Sequence, residues 1–133
     1  MGSNTIRDRE AARQLLLFKG LPFIGPCSLT NVDGRIAVRD MKRMMVVEAG
    51  HEKKRFNKGQ RWAMEDDVAA YTARGWVAIA VLTHHCIPTD RPVFLKDTTV
   101  KEVYWNGEWR PPQPGHHRFF DLFVRFWDWR PST

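Results

Sequence analysis

Apolar residues recur along this chain with two different periods, and the switches between them mark out its elements. Over residues 5–19, Ala11, Ala12, Leu15, Leu16 and Phe18 form a helical stripe. Thr5, with Asp8 three residues on, resembles a capping box, and Gly20 and Pro22 stop the helix. A loop rich in Gly and Pro follows over residues 20–31. The period then becomes two in Arg35-Ile36-Ala37-Val38-Arg39, which predicts a strand over residues 33–39. Met44-Met45-Val46-Val47 is continuously apolar, as expected of a strand over 43–49 that is buried on both faces. The short polar link Asp40-Met41-Lys42 predicts an antiparallel hairpin between the two. Helical spacing returns over residues 58–74, where Gln60, Met64, Val68 and Tyr71 share one face that should pack on the sheet. That face aims Gln60 at the strand tips, and Gly75 suits the position just past the helix end. Trp76 to Leu82 reads as another buried strand, so the strand–helix–strand order predicts a right-handed crossover with parallel strands.

The rest of the chain is less regular. Residues 83–98 read as a long loop containing Pro88 and Pro92. Val100 to Trp105 is a further strand, closed by an Asn106-Gly107 turn that lets Glu108-Trp109-Arg110 pair back. Pro111, Pro112 and Pro114 then break the chain before a final helix over residues 116–127. This helix is apolar almost all round, at Phe119, Phe120, Leu122, Phe123, Phe126 and Trp127, which implies deep burial or an interface such as a homodimer. Neither a repeat nor a domain boundary is visible, so residues 1–133 are expected to form one domain.

Composition adds a partner class. The 133 residues are 43% hydrophobic and 27% charged, an ordered globular balance. No apolar run approaches the ~20 residues that span a bilayer, and no export signal opens the chain. With only two cysteines, Cys27 and Cys86, a reduced cytoplasmic protein is expected. The net charge is +6, and its densest cluster holds Lys53, Lys54, Arg55, Lys58 and Arg61, which suits the phosphates of a nucleic acid. A generally basic, solvated surface is the plainer explanation of the same charge.

Histidines and tryptophans carry less. His84-His85-Cys86, His116-His117 and Cys27 match no common zinc spacing, and adjacent histidines on a strand point to opposite faces. Cys86, after a buried strand, reads as a packing residue. Of the six tryptophans, Trp62 and Trp76 read as core. Trp127 and Trp129, with Arg125 and Arg130, could stack on unpaired bases or form a partner surface.

The chemistry that stands out is a pair of carboxylates beside the basic loop. Asp33 opens the predicted hairpin, Glu48 ends the apolar strand on the face of Met44 and Val46, and Gly59-Gln60 opens the following helix. Each residue alone has a structural explanation: Asp33 suits a turn before Gly34, Glu48 could pair with an arginine, and Gln60 is a polar first-turn residue. Taken together, Leu29-Thr30-Asn31-Val32-Asp33, Val46-Val47-Glu48-Ala49-Gly50 and Gly59-Gln60 resemble the motif of the PD-(D/E)XK nuclease superfamily. The resemblance is to its small phage-type members and covers about residues 25 to 110. The hairpin from Tyr104 to Arg110 also looks like one that follows the last core strand in such proteins.

The resemblance implies an α/β restriction-endonuclease-like core, a mixed four- to five-stranded sheet flanked by helices. It also implies hydrolysis of nucleic-acid phosphodiesters, DNA being the expected substrate, in the host cytoplasm if the protein is phage-encoded. Mg²⁺ or Mn²⁺ would be held by Asp33, Glu48 and the carbonyl of Ala49, because hard cations take oxygen ligands. Bound there, it would activate a water and neutralise phosphate charge. Two positions depart from the pattern. Asn31 replaces an acid, and Gly50 replaces the lysine. Candidate substitutes for the lysine are His51, Lys53, Lys54 and Gln60, with Gln60 favoured because helical spacing aims it at the strand tips. A descendant of such nucleases that no longer cuts, but binds nucleic acid or a host protein as inhibitors of bacterial defence do, fits the missing lysine. A plain interaction module fits the aromatic C-terminal helix.

Overall fold

The computed structural model of the protein describes residues 34–52, 55–88 and 93–128, together with the backbone of Leu16–Leu17 and Ser28–Thr30. The strands are β1 (Leu16–Leu17), β2 (Ser28–Thr30), β3 (Arg35–Val38), β4 (Arg43–His51), β5 (Val77–His85), β6 (Val93–Phe94), β7 (Thr99–Trp105) and β8 (Glu108–Arg110). Helix α1 (Lys58–Ala73) lies between β4 and β5, and α2 (Phe119–Asp128) follows β8.

Among the described residues, six strands form one mixed sheet in the order β2-β3-β4-β5-β7-β8. Strands β2, β3 and β4 are successively antiparallel, β4 and β5 are parallel, and β7 and β8 complete the sheet antiparallel. The fold is thus α/β with a mixed sheet, one strand larger than the four or five expected. The addition is β2: Ser28–Thr30, within the stretch expected to be a loop, pairs antiparallel with β3 and extends that edge of the sheet. Strand β8 forms as expected, where the Asn106-Gly107 turn folds the chain back onto β7. Both turn residues have positive φ, 56° and 84°, the mirror-image turn that matches strand twist.

The continuous apolar run in β4 is explained by a helix on each side of the sheet. Met44 and Val46 pack with Met64 and Val68 of α1, together with Ala78, Ala80 and Leu82 of β5. Met45 and Val47 enter the opposite core with Ile79, Val81, Phe119, Phe123 and Trp127. Alternate side chains of one strand therefore serve two cores, which is why polar residues do not interrupt it. Helix α1 starts with a full capping box, in which Asn57 and Gln60 bond each other's backbone N–H. It ends at Arg74, before Gly75 at φ 85°.

Helix α2 is tied to the sheet by a buried cation. The Arg43 guanidinium donates to the carbonyls of Phe126 at 2.9 Å and Trp127 at 3.0 Å. Both belong to the last turn, whose carbonyls lack partners within the helix.

Several expectations change. Leu16–Leu17 is a short strand parallel to Val93–Phe94, not the end of a helix over 5–19; the rest of that expected helix lies outside the described residues. The loop expected over 83–98 is partly ordered, because β5 runs on to His85 and β6 leads into a 3₁₀ turn at Leu95–Asp97. Trp62 is 61% exposed rather than core, since it lies about 200° around α1 from Met64. Of the apolar residues of α2 that suggested a homodimer, Phe119, Leu122, Phe123, Phe126 and Trp127 are buried against this chain's own sheet, Trp127 having been offered as a base-stacking residue, while Phe120 is half-buried. Trp129 lies outside the described residues. Among those that are described, no helix is long and apolar enough to cross a membrane.

Candidate functional site

The carboxyl ends of the parallel strands β4 and β5 and the start of α1 meet at one corner of the sheet. In open α/β sheets this is where ligands bind, because loops diverge there and helix N-termini point inward. Strand β4 delivers Glu48 to this corner, half-buried, on the α1 face. Helix α1 delivers Gln60, whose Nε2 donates to Glu48 Oε1 at 3.3 Å. The same amide accepts from Asn57 N–H at 3.1 Å through its oxygen. Both ends of Gln60 are therefore assigned: the oxygen caps the helix and the nitrogen faces the carboxylate.

Asp33 lies outside the described residues. The ladder between β3 and β4 pairs Arg35 with Val46, and Val47 N–H donates to Gly34 O at 3.2 Å. The described pairing thus stops one residue short of both carboxylates.

Gly50 is buried two residues beyond Glu48, on the same face. Across the parallel ladder it stands opposite His84, as Glu48 stands opposite Leu82. His84 stacks on Phe56, with ring centroids 5.5 Å apart and planes at 10°. The place beside Gly50 where a longer side chain would emerge is thus flanked by an imidazole and a buried phenyl ring. His51, by strand alternation, stands on the other face and meets His85 edge-to-face at 5.9 Å. The structure does not bring it to Glu48.

Two residues that the motif does not contain also reach this corner. Strand β7 carries one residue too many opposite β5: Leu82 pairs with Glu102 and Thr83 with Val100, which leaves Lys101 unmatched. This bulge keeps Val100 in the α2 core and turns Lys101 to the α1 face. Lys101 Nζ there lies 5.7 Å from the Phe56 ring centroid. His84 is the second, placed beside Gly50 by the parallel register alone. The crossover could have signalled His84, whereas no local pattern signals the bulge.

Of the basic cluster, Arg55 and Lys58 are exposed around the helix start. Lys53 and Lys54 lie outside the described residues. Arg61 is engaged: it pairs with Glu102 at 2.6 Å and lies 5.0 Å from the Trp109 ring centroid.

Beyond this corner, His85 is buried and its Nδ1 accepts from Ile87 N–H at 3.0 Å. Burial first, then the nearby His51 and His84, lowers its pKa. Cys86 is exposed, not a packing residue, and its thiol donates to Glu52 Oε2 at 3.0 Å. That bond, followed by desolvation and the carboxylate charge, raises the thiol pKa. Among the described residues no three His, Cys, Asp or Glu side chains come together to hold a metal ion. Comparison with known protein families, curated sequences and solved structures found no match.

Proposed function

We propose that this chain has a PD-(D/E)XK-like core and acts on nucleic-acid phosphodiesters with Mg²⁺ or Mn²⁺. The observation that carries the reading is the Glu48–Gln60 contact, made where a strand end meets a helix start across a 12-residue interval. The topology supports it: three antiparallel strands, a crossover helix, then a strand parallel to the third. The donor chemistry at Glu48 also fits a hard cation, a carboxylate with the carbonyl of Ala49 next to it, and Asp33 is assigned as a further oxygen ligand from its place in the motif. When bound, the cation supplies a more acidic water and charge neutralisation at the phosphate.

The chain's own residues do the rest. Gln60 holds the Glu48 carboxylate in one orientation, and the exposed Arg55 and Lys58, with Lys53 and Lys54, hold the phosphate backbone in a salt-sensitive, sequence-independent way. The test is cleavage of single- and double-stranded DNA and RNA with Mg²⁺ or Mn²⁺ by the wild type and Glu48→Ala. Cutting by the wild type alone is expected. Equal activity in both proteins would refute the assignment of Glu48.

A second reading rests on Gly50, which is buried and has no side chain to offer. In it the protein binds nucleic acid, or a host protein, without cutting. Cleavage that emerges only in Gly50→Lys would favour this reading.

A further inference from the structure

We infer that Lys101 supplies the cation that Gly50 lacks, contacting the substrate phosphate beside Glu48. This rests on the nucleic-acid reading above and assigns the residue that the motif leaves open.

The bulge is the first reason. In an unbroken strand Lys101 would face the α2 core and Val100 the α1 side. One extra residue reverses both, and it falls at the step between Leu82 and Thr83, where Leu82 pairs with Glu48 on its other side. Bulges commonly re-aim a side chain beside a functional site. Lys101 therefore starts two strand spacings from Glu48, about 10 Å, which its four-carbon stem and an intervening phosphate can bridge.

The second reason is charge. The carboxylate beside it in sequence, Glu102, is held by Arg61 at 2.6 Å. Lys101 makes no ion pair among the described residues; its ammonium rests on the face of Phe56, which stacks in turn on His84 beside Gly50. Lys101, Phe56 and His84 thus lead from the bulge to the position of the missing side chain. A lysine retained only for packing on Phe56 would fit the same contacts, so the test must read charge at the phosphate rather than stability.

The experiment compares wild type, Lys101→Met, Lys101→Arg and the surface control Lys96→Met, whose ammonium pairs with Asp97 at 3.8 Å in the wild type. Binding of fluorescent single- and double-stranded oligonucleotides is measured in Ca²⁺ across a salt series, and cleavage in Mn²⁺. Methionine keeps an apolar stem over Phe56, and thermal unfolding confirms that each variant folds. The expected result is a loss of about one unit in the slope of log K against log salt for Lys101→Met, with Lys101→Arg and Lys96→Met unchanged. Where the wild type cuts, Lys101→Met should also cut about 100-fold more slowly, and adding Gly50→Lys should restore part of the rate.

If Glu48→Ala abolishes cutting while Lys101→Met matches Lys96→Met in slope and rate, the assignment of Lys101 is overturned and the reading of the site stands. If the wild type binds without cutting, the slope alone decides: an unchanged slope in Lys101→Met overturns the inference. If the wild type neither binds nor cuts, the inference falls together with the reading it rests on.

Discussion

Replacing Gln60 with glutamate probes the meeting of helix start and strand end without any assumption about activity. On an isolated helix the change is benign. Glutamate serves as well as glutamine in a capping box, and an acid in the first turn gains about 0.5 kcal/mol from the helix dipole. Here, however, the amide nitrogen donates to Glu48 Oε1 at 3.3 Å. Losing that bond to a charged acceptor costs about 1.5 kcal/mol, the low end of the range because the bond is long. Two carboxylates about 4 Å apart repel by about 4 kcal/mol at an effective dielectric of 20, and rotation of half-buried groups toward water relieves roughly half of that. The net destabilisation is about 3 kcal/mol, equivalent to roughly 10 °C in Tm for a chain of 133 residues. The new carboxylate pair should also bind a divalent cation. At a concentration 100 times its Kd, Mn²⁺ would return about 2.7 kcal/mol. The assay is urea and thermal unfolding at pH 8 in EDTA and in Mn²⁺, repeated in a Glu48→Gln background. A Gln60→Glu protein as stable as wild type in EDTA, or equally destabilised when Glu48 is already neutral, would refute the facing arrangement.

Three further outcomes follow from the geometry. Arg43→Met removes two charge-assisted bonds to the last carbonyls of α2; after relief of the buried charge, a loss of about 2 kcal/mol in urea unfolding is expected, with Arg43→Lys intermediate. His85 has a lowered pKa and uses its neutral Nδ1 to accept from Ile87. Its contribution to stability is complete above the unfolded-state value of 6.5 and declines as pH falls from there through the lowered folded value, so His85→Gln should flatten the pH dependence of Tm in that window. Cys86 is held as a thiol by Glu52; Glu52→Gln should accelerate its alkylation by iodoacetamide at pH 8, read by mass spectrometry.

The sequence by itself determined the elements whose signal is local. The period of two over Arg35–Val38, the stripe Gln60, Met64, Val68 and Tyr71, and the Asn106-Gly107 turn each encode backbone geometry within a few residues, and β3, α1 and the β7–β8 hairpin lie where those signals put them. Glu48 and Gln60 were legible as neighbours for the same reason, since a strand end and a helix start joined by a short loop have few ways to be arranged.

Only the tertiary structure decided what depends on register between distant segments. The sharing of Met44–Val47 between two cores needed helices on both faces. The burial of the aromatic face of α2 needed a sheet to cover it, and the capping of that helix by Arg43 spans 83 residues of sequence. The exposure of Trp62 follows from which face of α1 the sheet covers. The approach of His84 to Gly50 follows from the parallel ladder, and that of Lys101 to Phe56 from a single extra residue in β7. A bulge has no local sequence signature, because the unmatched residue is defined by the strand it faces. One residue of offset moves a side chain from one face of the sheet to the other.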